Sequence, residues 1–339
     1  MLLFLGYMKR FVSIVGNRPQ LIKLDPEFKQ IIIYTGQHYS PSMKDVFLDE
    51  LDIPQPDIDL DETELGKMVD KLIPVLREND PHYVIVYGDT RSTVAGTIAA
   101  HQLGIPIIHV EAGCRSGNNK QIEERNRILV DKLSTIHFCP SFKALCALQD
   151  SGLGDNAYNV GAANFSTLIK KTLPTEPLQK DPYSILTIHR EENTDSVAKL
   201  ENIFKGLEGC DHEIIFPIHP RTKKFIEDNK VVVPKGIRVV DPFPYKKFIH
   251  AIGHAQYAIT DSGGVQTEAY FLRTPCITLR EETEWRETVE EKWNVLVGTN
   301  PILIQRALKE FKPKKQRHQS EAYGKGRTHK IMRAILENL

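Results

Sequence analysis

Asp261-Ser262-Gly263-Gly264 follows the apolar run 257–260 and precedes Val265-Gln266-Thr267-Glu268-Ala269. This order predicts a strand, a glycine turn and the start of a helix. Such a turn presents backbone N–H groups and the positive end of a helix dipole at one point, which suits a diphosphate. Glu268, one helical turn further on, can accept hydrogen bonds from the two hydroxyls of a ribose. Ser-Gly-Gly turns also occur without a ligand, so this prediction depends on the rest of the chain.

Short apolar runs rich in β-branched residues recur along the chain. They cover residues 11–15, 31–35, 83–87, 105–110, 135–139, 184–188, 213–218, 237–240, 257–260, 275–279 and 294–297. Amphipathic stretches lie between most of them, and Leu65, Met68, Leu72 and Leu76 are spaced for one helix face. Near-continuous apolar strands that alternate with helices predict an α/β protein with parallel sheets covered on both faces.

The chain of 339 residues is long for one hydrophobic core and predicts two domains. The segment 170–183 holds three prolines and many polar residues, so it reads as a linker. We predict an N-terminal domain over residues 1–168, a C-terminal domain over 169–322, and a helix within 323–339. This helix packs back on one of the two domains, with the N-terminal domain as the first candidate. Met8 is expected near the first residue that the fold needs.

Composition argues against several classes of function. Lys+Arg and Asp+Glu both number 44, so the net charge is zero, whereas a nucleic-acid-binding protein is usually basic. No stretch approaches the roughly 18 apolar residues of a membrane span. The histidines show no HxH or HExxH spacing, and Cys and His do not cluster, so we expect no metal site. The five cysteines form no CxxC pair and are typical of buried thiols in a reducing cytoplasm.

A dinucleotide fingerprint is nearly absent. Residues 152–157 fit the pattern GxGxxA, but they follow a predicted helix and precede a predicted strand, which is the wrong order. Gly152 is therefore interpreted as a helix C-cap. We expect no redox cofactor.

Polar residues follow nearly every predicted strand. In parallel sheets, ligands bind beyond the carboxyl ends of the strands, so two sheets that face one cleft would bring these residues together. The candidates are Arg18, Lys23, Gln37, His38, Asp89, Glu111, His189, His219, Asp261 and Arg280. Carboxylates held close together in a shielded cleft have pKa values that are pushed apart, which supplies a base and an acid.

Several candidates have a purely structural alternative. Arg18 and Lys23 are either a clamp for phosphate or carboxylate, or surface charges at a helix start. Asp89 is either a catalytic acid or the N-cap of the next helix. Glu123 is either a catalytic acid or part of a solvated helix face, and His189 is either a ligand contact or a cap residue.

Nine short motifs occur in order along residues 11–298. They are Gly16-x-Arg18-Pro19 with Ile22-Lys23, Thr35-Gly36-Gln37-His38, Tyr87-Gly88-Asp89-Thr90, His109-Val110-Glu111-Ala112-Gly113-x-Arg115-Ser116, Glu123-Glu124-x-Asn126-Arg127, His189-Arg190-x-Glu192-Asn193, Pro217-x-His219-Pro220, Ser262-Gly263-Gly264-x-Gln266-x-Glu268-Ala269 and Leu279-Arg280-x-x-Thr283-Glu284. In this order they resemble the non-hydrolysing type of the UDP-N-acetylglucosamine 2-epimerase family. The resemblance implies a GT-B fold, with two Rossmann-like domains whose parallel sheets face a central cleft.

The resemblance also implies an activity, the interconversion of UDP-GlcNAc and UDP-ManNAc. UDP would be eliminated across C1–C2 to give 2-acetamidoglucal and then added back, which requires a base, an acid and stabilisation of the departing UDP, but no cofactor. Asp89, Glu111 and Glu123 match the family's catalytic acids, and His189 matches the histidine beside the leaving diphosphate. By the same resemblance we expect a homodimer that acts in polysaccharide biosynthesis.

The expected binding residues are assigned by the same motifs. The residues that we expect to bind the UDP-sugar are Arg18, Lys23, Ser262, Gly263, Gly264, Glu268 and Arg280. Gln37 and His219 match positions tied to a second, regulatory UDP-GlcNAc site in some bacterial members, and His38 lies beside Gln37.

The chain departs from the family pattern in four places. Ile122 replaces Pro before the glutamate pair, the segment 161–166 lacks an acid, Gln20 replaces Glu, and Trp285-Arg286 replaces Arg-Pro. The last change, together with His-Pro-Arg-Thr at 219–222, resembles relatives that epimerise UDP-2,3-diacetamido-glucuronic acid, so the sugar stays open. A hydrolysing epimerase, a GT-B glycosyltransferase and a non-catalytic UDP-sugar sensor are the remaining alternatives.

Overall fold

The computed structural model describes residues 9–36, 48–169, 176–313 and 319–339. The chain divides into two compact units, which we call the N-terminal unit (Met1–Lys171 with Glu321–Leu339) and the C-terminal unit (Thr172–Ser320). Met8, Gln37, His38 and parts of the predicted linker lie outside the described residues. No described helix is both long enough and apolar enough to cross a membrane.

A parallel sheet forms the centre of the N-terminal unit. Its described strands are β1 (Phe11–Val15), β2 (Ile31–Tyr34), β3 (Ile58–Asp59), β4 (Tyr83–Tyr87), β5 (Ile107–Val110), β6 (Ile136–Cys139) and β7 (Ala157–Asn159). They lie in the order β3-β2-β1-β4-β5-β6-β7, and neighbouring strands are parallel. The strand order reverses between β1 and β4, so ligands are expected beyond the carboxyl ends of these strands.

Helices cover both faces of this sheet. They are α1 (Arg18–Leu21), α2 (Leu65–Asn79), α3 (Arg91–Gln102), α4 (Ile122–Leu133), α5 (Phe142–Asp150) and α6 (Ala163–Ile169). Met68, Leu72 and Leu76 of the predicted apolar face of α2 are fully buried in the core, whereas Leu65 at the start of the helix is exposed. Helix α3 lies close to the sheet at Gly96, where an added Cβ would come within 2.9 Å of Ile14 Cδ1.

The C-terminal unit repeats this architecture. Its described strands are β8 (Tyr183–Thr187), β9 (Glu213–Pro217), β10 (Ile237–Val240), β11 (Ala258–Thr260), β12 (Cys276–Thr278) and β13 (Asn294–Leu296), in the parallel order β10-β9-β8-β11-β12-β13. Its helices are α7 (Glu191–Thr194), α8 (Val197–Leu207), α9 (Pro220–Asp228), α10 (Tyr245–His254), α11 (Gly263–Phe271), α12 (Arg286–Glu290) and α13 (Pro301–Glu310). The prediction of two Rossmann-like halves is confirmed.

Successive strand residues enter opposite cores, as the near-continuous apolar runs predict. In β8, Leu186 joins one buried cluster and Ile185 the other, because side chains alternate across a strand. All eleven predicted strands occur. Strands β3 and β7 were not predicted, since each has only two or three residues and is partly exposed.

The last helix, α14 (Thr328–Leu336), belongs to the N-terminal unit. Within the predicted range 323–339 the helix begins only at Thr328, because Gly324 and Gly326, with φ of 80° and 70°, are not in the helical conformation. The Thr328 hydroxyl donates to the Ala162 carbonyl over 3.2 Å, and Arg333 Nε lies 2.9 Å from Asp25 Oδ2. These contacts attach α14 to the segment before α6 and to the loop after α1.

Candidate functional site

The turn after β5 places Glu111 in an uncommon backbone conformation. Its φ of 75° lies in the left-handed region, which costs a residue other than glycine roughly 1–3 kcal/mol. The N–H groups of Glu111 and Ala112 both donate to the Phe138 carbonyl, over 3.0 and 3.1 Å. Lys23 Nζ lies 2.5 Å from Glu111 Oε2, and both side chains are nearly buried. Strain of this kind clusters at functional sites.

The turn after the neighbouring strand β4 carries Asp89. Its carboxylate forms an ion pair with the buried Arg127, and its backbone carbonyl accepts a 2.8 Å hydrogen bond from Asn126 Nδ2. The alternative in which Asp89 caps α3 is wrong, because Thr90 is the N-cap residue. Since β4 and β5 are adjacent and parallel, the turns that carry Asp89 and Glu111 are at the same edge of the sheet.

The two glutamates of the Glu-Glu pair differ in environment. Glu124 is buried and accepts hydrogen bonds from the Ser116 and Gly117 backbone N–H groups, over 2.9 and 3.0 Å. Burial alone would raise the pKa of Glu124, but these bonds and the charge of Arg127, 3.0 Å away, outweigh it and the pKa is lowered. Glu123 is half-buried in the first turn of α4 and stays the predicted catalytic member of the pair.

Gln20, which departs from the family pattern, has a structural role. It is buried, its Oε1 accepts from the Gly16 N–H, and its Nε2 donates to the Tyr87 carbonyl, both over 2.7 Å. Nε2 also contacts the hydroxyls of Thr90 and Thr93 at 2.9 Å. A carboxylate cannot donate to a carbonyl, so an amide fits this position, which joins the turns after β1 and β4. The sequence showed that Gln20 differs from the family pattern, but it did not show the hydrogen bonds that explain the difference.

Arg18 is the first residue of α1, directly beyond the carboxyl end of β1. It is half-buried, and Asn17 caps the helix through its side-chain oxygen. The structure thus places Arg18 and Lys23 at the same end of the sheet as the acids. Gln37 and His38, predicted for a regulatory site, lie outside the described residues.

In the C-terminal unit, the predicted strand, turn and helix around Ser262 are confirmed. Ser262 caps α11, and its Oγ accepts a 3.4 Å hydrogen bond from the Val265 N–H. Gly263 and Gly264 begin the helix. An added Cβ at Gly263 would lie 2.4 Å from Glu284 Oε1, so no larger residue fits there without movement. The turn therefore exposes backbone rather than side chain.

Asp261 is a residue whose role the sequence did not reveal. It is fully buried, and its carboxylate accepts hydrogen bonds from the His189 N–H, the Arg190 N–H and Asn193 Nδ2, each over 3.1 Å. It thereby joins the turn after β8 to the turn after β11. The partly exposed His189 ring has its Nδ1 3.5 Å from Asp261 Oδ1. The cap alternative for His189 is wrong, because Arg190 is the N-cap residue of α7.

Glu268 and Arg280 lie deeper than the sequence suggests. Glu268 is 8% exposed and accepts a 2.9 Å hydrogen bond from the Tyr245 hydroxyl. Arg280 is 4% exposed, and its Nη1 forms a 3.0 Å ion pair with Glu284 Oε2. Its guanidinium nitrogens have no hydrogen-bond acceptor among the described residues. Because Glu284 Oε1 would lie 2.4 Å from a Cβ at Gly263, the Arg280–Glu284 pair lies next to this glycine.

His219 lies exposed at the carboxyl end of β9. It caps α9, and its Nδ1 accepts a 3.3 Å hydrogen bond from the Arg221 N–H. The Arg221 guanidinium is paired with Glu191 at 3.0 Å and with Asp195 at 2.7 Å. Arg221, which belongs to the motif shared with the uronic-acid relatives, already has two carboxylate partners.

The prediction that Cys and His do not cluster is wrong. Cys210, Asp211 and His212 place ligand-capable atoms within 4.8 Å of one another. They are consecutive residues before β9, and the patterns HxH, HExxH and CxxC do not include a mixed Cys-x-His pair. They precede their strand, whereas the site residues follow theirs. All five cysteines lie in the described residues, and none forms a disulfide.

Known proteins resemble this chain over nearly its whole length. The family model described as UDP-N-acetylglucosamine 2-epimerase matches residues 20–337. A UDP-N-acetylglucosamine 2-epimerase homolog of Methanococcus maripaludis is 39% identical, over 97% of this chain and 100% of the relative. The UDP-2,3-diacetamido-2,3-dideoxy-D-glucuronate 2-epimerase of Pseudomonas aeruginosa is 36% identical, over 97% and 100%.

A solved structure is similarly close. The Methanocaldococcus jannaschii UDP-GlcNAc 2-epimerase, crystallised with UDP-GlcNAc and UDP, has a TM-score of 0.89 at 34% identity and matches 98% of this chain and 100% of that one. The family match, the identities above 30% and the coverage all agree. The chain therefore belongs to the UDP-N-acetylglucosamine 2-epimerase family.

Proposed function

We propose that this protein interconverts UDP-GlcNAc and UDP-ManNAc without net hydrolysis. The observation that carries the proposal is the pair of adjacent strand ends that bear Glu111 and Asp89, each ion-paired with a buried cation, Lys23 and Arg127. Two oriented carboxylates at one sheet edge suit the addition and removal of a proton on the two faces of a carbon. The M. jannaschii relative, whose crystals contained UDP-GlcNAc and UDP, supports the choice of nucleotide sugar.

The proposed reaction is an elimination of UDP across C1–C2 followed by its re-addition. A carboxylate takes the proton from C2, the C2–H electrons form the C1=C2 bond, and the C1–O bond breaks, so that UDP leaves with the bonding pair. UDP then returns to C1 as an acid protonates C2 from the other face. Asp89, Glu111 and Glu123 supply the base and the acid.

We assign the binding of UDP chiefly to the C-terminal unit. The capped amino end of α11, at Ser262, Gly263 and Gly264, offers backbone N–H groups and a helix dipole to the diphosphate. Glu268, oriented by Tyr245, accepts from the ribose hydroxyls.

Charged groups complete the proposed binding of the leaving group. His189 stabilises the diphosphate as it departs, with its ring beside Asp261. Arg18, Lys23 and Arg280 supply positive charge, and the buried guanidinium of Arg280 also supports the Gly263 turn through Glu284.

We propose that Gln37, His38 and His219 contribute to a second, regulatory nucleotide-sugar site. The exposure of His219 at a strand end supports its part in this site. His219→Ala is expected to change the dependence of rate on UDP-GlcNAc concentration and to leave the C2 exchange chemistry intact.

We further propose a cytoplasmic homodimer that supplies polysaccharide biosynthesis. The thiols without disulfides are typical of a reducing compartment. Exposed Ile122, Leu129 and Phe142 on α4 and α5 offer apolar surface for association. Sedimentation of the purified protein measures the assembly directly, and a monomer at all concentrations contradicts this part of the proposal.

UDP-2,3-diacetamido-glucuronic acid is the second candidate substrate. The 36% identity to the P. aeruginosa enzyme and Trp285 at the position of the family's arginine favour it. Against it, the charge of Arg221 is already balanced by ion pairs with Glu191 and Asp195, so Arg221 is not an unpaired cation for a uronic carboxylate. A panel of both UDP-sugars at equal concentration decides between them.

Incubation with UDP-GlcNAc in D2O, followed by proton NMR at C2, tests the proposed reaction. We expect deuterium at C2 and UDP-ManNAc as the second sugar nucleotide. Free ManNAc as the main product would indicate a hydrolysing enzyme. Binding without any exchange, unchanged in Asp89→Asn, would indicate a sensor, and exchange-free transfer to an acceptor would indicate a glycosyltransferase.

A further inference from the structure

His109 is fully buried near the end of β5, with an acceptor on each side of its ring. Nδ1 lies 2.7 Å from Asp131 Oδ1 on α4, and Nε2 lies 2.8 Å from the Gly88 carbonyl. A carbonyl oxygen only accepts, so Nε2 must carry a proton. An ionised carboxylate also only accepts, so Nδ1 must carry one as well. The ring is then an imidazolium.

The other contacts of Asp131 favour its ionised form. Arg115 Nη1 lies 2.7 Å from its Oδ2, and the Gly113 N–H points at the carboxylate from 3.3 Å. Burial alone would raise the pKa of Asp131, but the hydrogen bond from His109 and the charges of His109 and Arg115 outweigh it, so the pKa is lowered. Because Arg115 and the Gly113 N–H both donate to Asp131, they favour its ionised form over a protonated Asp131 beside a neutral ring.

These two residues join both turns that bear the proposed acids. Gly88, held by His109, directly precedes Asp89, and its own N–H donates to the Val110 carbonyl over 2.9 Å. Gly113, held by Asp131, follows Glu111 by two residues and has a φ of 77°. The same helix α4 supplies Asn126 and Arg127, which hold Asp89.

We propose that His109, as a buried imidazolium, and Asp131 are positioning residues that fix the separation of Asp89 and Glu111. Neither residue touches the substrate. Their positioning role rests on the proposed epimerase function. A small displacement of a catalytic group can cost on the order of 10²-fold in rate, so the pair controls kcat rather than substrate binding.

Two isosteric substitutions separate the two bonds of His109. The amide nitrogen of glutamine lies near the place of Nε2, so His109→Gln keeps the bond to Gly88. The amide nitrogen of asparagine lies near the place of Nδ1, so His109→Asn keeps the bond to Asp131 and loses Gly88. We expect His109→Asn to lower kcat about 10²-fold with KM within about twofold, and His109→Gln to recover most of the rate.

The experiment measures kcat and KM for C2 deuterium exchange in the wild type and both variants, beside 15N spectra of the histidine rings in the wild-type protein. If the wild type shows no exchange, the proposed function fails, and the ring spectra still test the charge state. Equal kcat in wild type, His109→Asn and His109→Gln overturns the positioning role. A His109 ring with one unprotonated nitrogen at neutral pH overturns the imidazolium. Because the ring spectra are recorded on the wild-type protein, this test holds even if either variant does not fold.

Discussion

In the N-terminal unit, opposite charges hold the turns after β4 and β5, whereas one buried carboxylate holds the turns after β8 and β11 in the C-terminal unit. Lys23 contacts Glu111 and Arg127 contacts Asp89, so the groups that are held are themselves reactive. Asp261 accepts from two backbone N–H groups and one side-chain amide, so the group that it holds is mainly backbone.

The difference follows from what each turn presents. The N-terminal turns present carboxylates, which need cationic partners that orient them. The C-terminal turn presents N–H groups at the start of α11 and requires the absence of side chains, as the close approach of Glu284 to Gly263 shows. The comparison therefore predicts that loss of the Glu111 or Asp89 carboxylate impairs chemistry, while changes at Gly263 or Asp261 impair binding or stability.

The largest effect is expected from the loss of a carboxylate in the N-terminal unit. Glu111→Gln keeps size and shape but removes the charge, and it should lower the rate of C2 deuterium exchange by about 10²–10⁴-fold. UDP affinity, measured by calorimetry, should stay within about twofold because binding is assigned chiefly to the other unit. Glu78→Gln, an exposed change on α2, is the control and should match the wild type.

A glycine substitution tests the C-terminal unit, where UDP affinity is the property expected to change. Gly263→Ala introduces a Cβ 2.4 Å from Glu284 Oε1, so the turn or the Glu284 carboxylate must move. We expect the displaced N–H groups to weaken UDP binding by about 1–3 kcal/mol, or about 5- to 150-fold in affinity. Gly253→Ala is the matched control in helix α10, because a Cβ there would lie 3.8 Å from Leu272 Cδ2, an ordinary van der Waals contact. Equal UDP affinity in the two variants contradicts the assignment of the diphosphate to the α11 turn.

The support beneath that turn gives the next effect. Asp261→Asn replaces an acceptor oxygen by an amide that faces N–H donors, so the free energy of unfolding of the C-terminal unit should fall by about 1–3 kcal/mol. Both tryptophans, Trp285 and Trp293, are buried in this unit, and their fluorescence in urea reports its unfolding. Asp195→Asn breaks only an exposed pair and should cost at most about 1 kcal/mol.

The smallest effect concerns acid stability of the N-terminal unit. The pKa of Glu124 is lowered on folding, so its contribution is present above the unfolded value of 4.5 and is lost as pH falls through the folded value. Glu124→Gln should therefore destabilise this unit by about 1 kcal/mol at neutral pH. The difference in stability from the wild type should shrink in acid, as measured by hydrogen exchange of peptides from the N-terminal unit. A difference that grows below pH 4.5 contradicts the lowered pKa.

The sequence predicted the strand ends well and their supports poorly. Apolar runs located Asp89, Glu111 and Ser262 beyond their strands, because buried parallel strands are continuous and easily recognised. Asp261 and Asp131 were not assigned a role, since their partners lie 72 and 22 residues away, and only the folded sheet brings them together. The Glu111 backbone strain and the Gln20 bridge also depend on tertiary contacts that local pattern does not encode.

The central claim is that UDP leaves and returns in the same catalytic cycle in which C2 exchanges its proton. UDP-GlcNAc that carries 18O in the bridge between C1 and the β-phosphorus tests it directly by 31P NMR. We predict that 18O moves from the bridge into non-bridging positions of the β-phosphate in the wild type, together with deuterium entry at C2, and that both are lost in Glu111→Gln. Deuterium entry while all of the 18O stays in the bridge would contradict the account.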